Sequence, residues 1–515
     1  MAWSARTRLR AAGFCLAMGL SAPSLAQEDS AERRRNEPIV WSPCPESYEG
    51  AECATVAMPL DHQRPRRGET LPFFVARRLS GVPNAPQLWI LDGGPGGSGQ
   101  ALYLGRAEEL AALMPGVDLY FPAHRGTGNS AGLTCAGEQL DSPNGSELAP
   151  EEWPACLAEV RALWGDKLAH FNVTQAAMDL GTLIERVRGR NQRVFLYGLS
   201  YGTYWAWRYL EFFPRQANGV IQDSVVSPGE RFLSQMDIWF DPAARDYAAL
   251  CAADADCRAR LGPDPWARLQ AISAKVEQGH CADSGFTPSL LRRSLSALFM
   301  TWRQRVFSLA IPYRLERCAP ADVQALRRFV SIFFEPFELY GFSHVLEANI
   351  GFSEFWESPA PSPATLHQRA ESAIFSMDWG ADRAEISVQW PKYSSRYATR
   401  WPRVKVPLLM MNGTLDPMTS HEAALVAARR YRAPNQTFVT FPLVGHSVGF
   451  NSPTTLPGSP NCGHLVTASF IQNPHAPPDT SCLVSMQPVP FENRALARAF
   501  FGSAFTSVWD NPATP

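Results

Sequence analysis

The sequence predicts an α/β fold with a mostly parallel sheet and one large helical insertion. Short continuous apolar runs alternate with stretches of helical character, a rhythm typical of strands that are buried on both faces and joined by helices. The rhythm stops after Pro228 and resumes at Val404, and the segment between them is mostly helical in character and rich in Trp and Phe. With 515 residues, 45% of them hydrophobic, the chain can bury a large core.

The first strands are predicted to be antiparallel and the later ones parallel. Residues 27–53 are polar and contain proline, so we expect them to lie outside the core. Two alternating segments follow, at 54–60 and 71–79, and their pattern is typical of half-buried strands joined by a turn. The remaining predicted elements are strands at 87–91, 117–121, 193–197, 219–222, 404–413 and 437–441, with helices near 99–113, 174–188, 201–213 and 420–430.

The N-terminus has the pattern of a secretory signal peptide. Three arginines among the first ten residues precede the apolar run 11–20, and Ser24-Leu25-Ala26 supplies small residues for cleavage. The run is too short to span a membrane, which takes about 20 apolar residues. We therefore expect a secreted or periplasmic protein without stable membrane insertion. The expected division is a signal peptide at 1–26, a first core part at 27–228, a helical cap at 229–396 and a second core part at 397–515.

The cysteine content favours disulfides over metal binding. Of the eleven cysteines, one lies in the predicted signal peptide, and an even number in an exported chain is typical of disulfides. The sequence leaves the connectivity open, although pairing each cysteine with its nearest neighbour would close five short loops. No HExxH motif and no pair of CxxC motifs occurs, so we expect neither a metal nor another cofactor.

The charge balance argues against nucleic acid as a partner. Forty-seven basic and 49 acidic residues give a formal charge of −2. No stripe of Lys and Arg follows the chain, as phosphate binding would require. The sequence also gives no sign of an obligate protein partner.

Ser200 is the predicted nucleophile. It lies in Gly198-Leu199-Ser200-Tyr201-Gly202, between a predicted strand and a predicted helix. A serine in this context sits on a sharp turn that lifts its hydroxyl above the carboxyl edge of the sheet. The segment 445–449 matches the same pattern around Ser447, but prolines follow it instead of a helix. The context therefore selects Ser200.

Asp416 and His446 are the predicted acid and base. Each follows a predicted strand of the second core part, so both should lie at the edge of the sheet that carries Ser200. Histidine supplies a base near neutral pH, and the aspartate holds its tautomer. Asp416 could instead be only a turn residue, and Asp223 at an earlier strand end is a rival acid. Other histidines after Asp416 are expected at the surface: His421, His464 and His475.

A glycine-rich loop at 91–99 is the predicted source of oxyanion donors. It lies between a predicted buried strand and a helix, where backbone N–H groups can approach a substrate closely. The amides of Gly94 and Tyr201 are the candidates. A phosphate-binding loop is the competing interpretation, but no lysine follows the glycines as that motif requires.

Together these motifs resemble the secreted prolyl and tripeptidyl aminopeptidase family of α/β-hydrolases. They appear in the family's order: the GGPGGSG loop, HRGTGNS at 124–130, the GLSYG turn, GTLDPMT around Asp416 and GHS around His446. The resemblance covers the two predicted core parts. It implies an α/β-hydrolase fold with a helical cap, and hydrolysis of peptide substrates from a free N-terminus.

Glu354 is the candidate for binding the substrate amine. An aminopeptidase must hold an ammonium group, and in a partly desolvated pocket that calls for a carboxylate. Glu354 ends the segment ANIGFSE, which resembles a cap segment of the family that ends in an acidic residue. The alternative is an ordinary helix-surface glutamate that faces water.

The sequence therefore predicts an exported serine exopeptidase that works through an acyl-enzyme. A carboxylesterase with the same triad is the alternative, because the fold does not separate the two chemistries. A binding protein without catalysis is disfavoured, because it would need none of these groups.

Overall fold

The computed structural model describes residues 38–45, 48–65, 68–335 and 341–512. The predicted signal peptide at 1–26 lies outside these residues. One nine-stranded sheet runs through the molecule in the order β1-β2-β3-β5-β4-β6-β7-β8-β9. Its strands are β1 Ser42–Pro43, β2 Glu52–Pro59, β3 Thr70–Arg78, β4 Gln87–Leu91, β5 Asp118–Pro122, β6 Val194–Leu199, β7 Gly219–Asp223, β8 Leu408–Gly413 and β9 Gln436–Phe441.

The strand directions confirm the predicted fold class. Strands β1, β2 and β3 pair antiparallel, and β3 pairs antiparallel with β5. All pairs from β5 through β4 to β9 are parallel. The expectation that 27–53 lies outside the core is wrong for its described end, because β1 and the start of β2 join the sheet and Tyr48 is buried. The polar composition of this segment does not indicate that the ring of Tyr48 packs against Phe74 and Tyr103.

Alternate side chains of the central strands enter two different cores. Trp89 and Leu91 of β4 belong to one buried cluster, whereas Leu88 and Ile90 belong to another. This follows from the two-residue repeat of a strand, which sends successive side chains to opposite faces. The sheet is therefore covered on both faces, as its continuous apolar runs predict. Its flanking helices are α1 Gly99–Leu113, α2 Trp153–Trp164, α3 Val173–Val187 and α4 Tyr201–Phe212.

A set of helices separates β7 from β8, where the sequence predicts the insertion. These helices are α5 Phe240–Ala253, α6 Ala255–Leu261, α7 Pro265–Glu277, α8 Pro288–Met300, α9 Phe307–Arg317, α10 Pro320–Phe333, α11 His344–Glu354, α12 Pro363–Ser372, α13 Trp379–Asp382 and α14 Ala384–Gln389. Many of them share a third apolar cluster with C-terminal residues such as Phe501. The later helices are α15 His421–Arg430, α16 Val448–Asn451, α17 Cys462–Gln472 and α18 Arg494–Phe501.

Five disulfides join neighbouring cysteines, which agrees with the expected short loops. The pairs are Cys44–Cys53, Cys135–Cys156, Cys251–Cys257, Cys281–Cys318 and Cys462–Cys482. Disulfides of this kind form and persist in oxidising compartments. Among the described residues, none of the helices has the length and apolar character that crossing a bilayer requires.

Close backbone contact at the junction of β6 and α4 depends on two glycines. A Cβ on Gly202 would lie 2.1 Å from the carbonyl oxygen of Leu91, and one on Gly198 would lie 2.6 Å from the carbonyl oxygen of Gly202. Neither contact is possible for a real side chain without moving the backbone. The start of α4 therefore rests directly on the end of β4, and this contact sets the position of the turn between β6 and α4.

We expect Gly202→Ala to lower the free energy of unfolding by about 3 kcal/mol, because the added methyl group overpacks this junction. Chemical denaturation followed by circular dichroism measures the change. Gly105→Ala is the matched control, since Gly105 lies in α1 with no atom near its would-be Cβ. There alanine should stabilise the helix by about 1 kcal/mol. Equal stability of the two variants would contradict the close packing.

Candidate active site

Ser200 occupies a strained turn between β6 and α4. Its backbone angles are φ 55° and ψ −122°, a region that non-glycine residues rarely adopt and that recurs at functional sites. The Ser200 N–H donates to the carbonyl of Asp223 at 2.9 Å, and the Ser200 carbonyl accepts from the N–H and the hydroxyl of Thr203. Hydrogen bonds on both sides of the turn thus hold its conformation, as the sequence context predicts.

His446 and Asp416 are in direct contact. Nδ1 of His446 lies 3.0 Å from both carboxylate oxygens of Asp416. The same carboxylate accepts from the amides of Met418 and Thr419 and from the Thr419 hydroxyl, at 2.7–2.9 Å. Asp416 is therefore a turn residue and a histidine partner at once. Since the carboxylate accepts, Nδ1 is the donor, and Nε2 is left as the basic nitrogen.

The pair is buried and its pKa values shift in opposite directions. Burial alone would raise the pKa of Asp416, but His446 and the hydrogen bonds from Thr419 outweigh it and lower that pKa. Burial alone would lower the pKa of His446, but Asp416 and the more distant Asp223 raise it above its ordinary value. The Asp416 carboxylate therefore stabilises an imidazolium, which a histidine base needs after it takes a proton.

Asp223, the rival acid, binds the histidine loop and not the histidine ring. Its carboxylate accepts from the amides of Val448 and Gly449, each at 2.8 Å, and from the hydroxyl of Tyr197. Its carbonyl accepts from the N–H of Ser200. Asp223 thus connects the Ser200 turn to the segment directly after His446. The sequence suggests an acid at this strand end but not the structural use of its carboxylate.

Ser200 and His446 both follow strands of the parallel part of the sheet, at the same carboxyl edge. Among the described residues no hydrogen bond joins the Ser200 hydroxyl to His446 Nε2. Ser200 and His446 line two different cavities. In unliganded enzymes such catalytic hydrogen bonds are often long and tighten only when substrate binds. Asp223 is hydrogen-bonded to the backbone of Ser200 and to the amides of Val448 and Gly449, and so ties together the two loops that carry Ser200 and His446.

The predicted oxyanion donors lie beside Ser200. Gly94 and Tyr201 line the same cavity as Ser200. Within the described part of the chain, neither of their backbone N–H groups has a hydrogen-bond acceptor, whereas Gly93 donates to its neighbour Asp92 and Gly97 donates to Gly93. Tyr201 is also the first residue of α4, so its amide lies at the positive end of the helix dipole. Both amides are available to an oxyanion.

Glu354 is buried and already paired. One carboxylate oxygen accepts from Arg208 and from the hydroxyl of Tyr204, both at 2.8 Å, and the other accepts from the hydroxyl of Tyr393 at 2.9 Å. It does not face water, in contrast to the alternative interpretation. Its role as an amine contact stays a prediction, and an ammonium would have to displace one of these partners.

The cavity at Ser200 is mostly apolar and is lined in part by residues of the insertion. Its wall is formed by Gly94, Pro95, Ser200, Tyr201, Val226, Arg231, Leu233, Trp239, Phe355, Met418 and Thr419. Leu233, Trp239 and Phe355 come from the segment between β7 and β8. The insertion therefore supplies part of the wall of the cavity at Ser200.

His464 differs from its expected position at the surface. It lies in α17 with 1% of its surface exposed, and neither ring nitrogen has a hydrogen-bond partner among the described residues. Burial lowers its pKa to about 3. The nearby prolines in the sequence suggested a loop, but a helix begins at Cys462. His464 packs against Phe450, and its Nδ1 lies 3.7 Å from a carboxylate oxygen of Glu109, whereas Asp416 is paired with His446.

One group of potential metal ligands occurs in the described ranges: Cys135, Glu138 and Cys156. The two cysteines form a disulfide, so their sulfurs are not free to bind a metal.

Comparison with curated proteins identifies serine peptidases as relatives. The chain is 30% identical over 271 residues to "Serine protease Hip1" of Mycobacterium tuberculosis, which covers 48% of this chain and 51% of that protein. It is 27% identical over 285 residues to the tripeptidyl aminopeptidase of Streptomyces lividans, covering 48% and 52%. The chain thus spans about half the length of the curated relatives it matches. No protein-family model matches it.

Solved structures with a similar fold include a proline iminopeptidase from Mycobacterium smegmatis, at 13% identity and a TM-score of 0.35, covering 82% of this chain and 98% of that one. Another is an esterase from Exiguobacterium antarcticum, at 14% identity and a TM-score of 0.31, covering 74% and 90%. The fold assignment rests on the strand order and directions given above. The chain has the α/β-hydrolase fold and is a relative of serine peptidases that include tripeptidyl aminopeptidases, as its motifs predict, and this relationship supports a serine hydrolase.

Proposed function

We propose that this chain is an exported serine aminopeptidase of the prolyl or tripeptidyl type. It would hydrolyse peptides from a free N-terminus through an acyl-enzyme. The observation that carries the proposal is the His446–Asp416 pair, which lies at the edge of the sheet that also holds Ser200. The amides of Gly94 and Tyr201, which have no acceptor among the described residues, lie beside Ser200. The curated relatives, a serine protease and a tripeptidyl aminopeptidase, favour peptides as substrates.

In the first half-reaction, the Ser200 hydroxyl attacks the peptide carbonyl while Nε2 of His446 takes its proton. The tetrahedral oxyanion accepts hydrogen bonds from the amides of Gly94 and Tyr201. One such donor is typically worth about 10²–10³ in kcat. Asp416 stabilises the imidazolium, which then gives its proton to the leaving amine. The products are the ester of Ser200 and the shortened peptide.

In the second half-reaction, water attacks the acyl-enzyme. His446 now takes a proton from the water and returns one to Ser200 Oγ, which restores the starting state. The same two amides stabilise the second oxyanion. No group other than the residues named here is needed for either half-reaction.

The narrow cavity favours cleavage near a chain end. Leu233, Trp239 and Phe355 of the insertion line the cavity at Ser200. A long peptide cannot easily cross a narrow cavity, whereas one end can enter it. Glu354 is the proposed contact for the substrate amine, and its carboxylate is the predicted source of the preference for a free N-terminus.

A carboxylesterase is the second candidate. The cavity at Ser200 is mostly apolar, and Glu354 is already paired with Arg208. Both features suit a neutral acyl ester that needs no amine contact. Because the triad chemistry is the same, only substrate preference separates the two functions.

Export is part of the proposal. The predicted signal peptide and the five disulfides both favour an oxidising compartment, either a periplasm or the medium outside the cell.

We expect short p-nitroanilide peptides with a free N-terminus to be cleaved at least 10-fold more efficiently than the same peptides after N-acetylation, because acetylation removes the ammonium group. The measurement is kcat/KM for each pair. In Glu354→Gln this preference should decrease, since the carboxylate is gone. Equal turnover of the two forms would exclude the aminopeptidase, and activity on short acyl esters alone would favour the esterase.

We expect Asp416→Asn to lower kcat by about three to four orders of magnitude, because the imidazolium loses its stabilising carboxylate. The base acts only when His446 is neutral. Asp416 raises the pKa of His446, so the wild type loses activity on the acid side at a higher pH than the variant. In a pH profile of kcat, the loss of activity on the acid side should occur at lower pH in Asp416→Asn than in the wild type.

Asp141→Asn is the matched control, because Asp141 is an exposed turn residue outside the site. It should retain the wild-type kcat and pH profile. An Asp416→Asn variant with wild-type kcat would show that another residue partners His446.

A further inference from the structure

The cavity at Ser200 contains one charged side chain within the described ranges, that of Arg231. Arg231 follows β7 and lies where the chain enters the insertion. The other residues of the wall are glycine, apolar or hydroxyl-bearing. A permanent positive charge therefore lies in the same small space as the proposed nucleophile.

The guanidinium of Arg231 is held in place but forms no ion pair among the described residues, although the carboxylates of Asp416 and Glu422 act on it from a distance. Nη2 donates to the carbonyl of Pro417, and the guanidinium carbon lies 4.2 Å from the ring centre of Trp239. Nε is buried and has no hydrogen-bond partner, and no carboxylate among the described residues forms an ion pair with Arg231. Of the five N–H donors of an arginine, one has a hydrogen-bond acceptor within the described part of the chain.

Two buried arginines contrast with the half-buried Arg231, although the buried Arg305 also has only backbone carbonyls as hydrogen-bond partners among the described residues. Arg208 is paired with Glu354 at 2.8 Å, and Arg125 is paired with Asp179 at 2.7 Å. A charge removed from water without a partner is costly, and an anionic group of a substrate in the cavity would supply that partner to Arg231. Burial lowers the pKa of Arg231 to about 10, so it remains a cation at neutral pH.

The position of Arg231 also restricts which part of a substrate enters the cavity. A free N-terminal ammonium would be repelled by the guanidinium, so the amine must lie elsewhere. A carboxylate would be attracted, and the planar N–H groups suit its two oxygens. Because Arg231 lines the same cavity as Ser200, a carboxylate bound to Arg231 would belong to a residue adjacent to the cleaved bond.

We propose that Arg231 is a specificity-determining residue that binds a substrate carboxylate next to the scissile bond. The inference rests on the proposed peptidase function and deepens it by naming peptides with an acidic residue at that bond as the preferred class. The carboxylate has two possible sources, the residue whose carbonyl is attacked and the first residue of the leaving peptide.

The test compares substrate pairs that differ only in glutamate or glutamine. One pair carries Glu or Gln in Ala-Ala-Xaa-p-nitroanilide, which places it on the acyl side. The other carries Glu or Gln directly after the cleaved bond of an unblocked peptide, with products measured by mass spectrometry. We expect the wild type to prefer Glu by about 10- to 100-fold in kcat/KM in one pair, as hydrogen bonds to charged groups imply. The substrate pair in which Glu is preferred shows whether the carboxylate belongs to the residue whose carbonyl is attacked or to the first residue of the leaving peptide.

In Arg231→Gln the ratio of Glu to Gln turnover should fall to about one, because the cation is lost. Arg231→Lys should retain part of the preference, since it keeps the charge but not the planar donors. Arg429→Gln is the control, because Arg429 is exposed on α15, away from the cavity. It should leave the ratio unchanged.

Two outcomes would overturn the inference. One is a wild-type ratio near one in both pairs. The other is an equal loss of Glu and Gln turnover in Arg231→Gln, which would assign the residue to holding the turn at Pro417. Failure of the proposed function looks different, because the wild type would then cleave none of these peptides.

Discussion

The arrangement of the site depends on one buried carboxylate, that of Asp223 at the end of β7. The backbone carbonyl of Asp223 accepts from the N–H of Ser200. Its carboxylate accepts from the amides of Val448 and Gly449, which follow shortly after His446. Ser200 and His446 are separated by more than two hundred residues of sequence, and this residue joins their two loops. Burial raises the pKa of Asp223, and the hydrogen bonds from Tyr197, Val448 and Gly449 offset only part of that rise.

The charged side chains around Ser200 differ in whether neighbouring groups compensate their charge. Asp416 is satisfied by His446 and by the turn that follows it. Glu354 is satisfied by Arg208 and two tyrosines. Arg231 has a backbone carbonyl and an aromatic ring as partners but no anion among the described residues. Compensated groups hold the structure together, whereas an uncompensated group in a cavity is available to a substrate.

The sequence predicted the sheet well, and the roles of Ser200, Asp416 and His446 at its strand ends stay predictions. Continuous apolar runs have few alternatives to strands buried on both faces, and a serine between such a strand and a helix points to one turn geometry. The structural use of Asp223 could not be predicted, because the N–H groups that donate to its carboxylate belong to a loop far away in sequence. The burial of His464 was missed for the same reason, since Phe450 and the rest of its surroundings are not its neighbours in the chain. No motif distinguishes Arg231 in the sequence, because the residues that form the cavity around it come from distant parts of the chain.

The central claim is that Ser200 is a nucleophile activated by His446. Labelling with a fluorophosphonate, followed by peptide mass spectrometry, measures this directly, because such reagents bond to an activated serine hydroxyl. The account predicts a single adduct on the peptide that contains Ser200, and no adduct in the variant His446→Ala. An adduct on Ser447 instead, or undiminished labelling of Ser200 in His446→Ala, would contradict it.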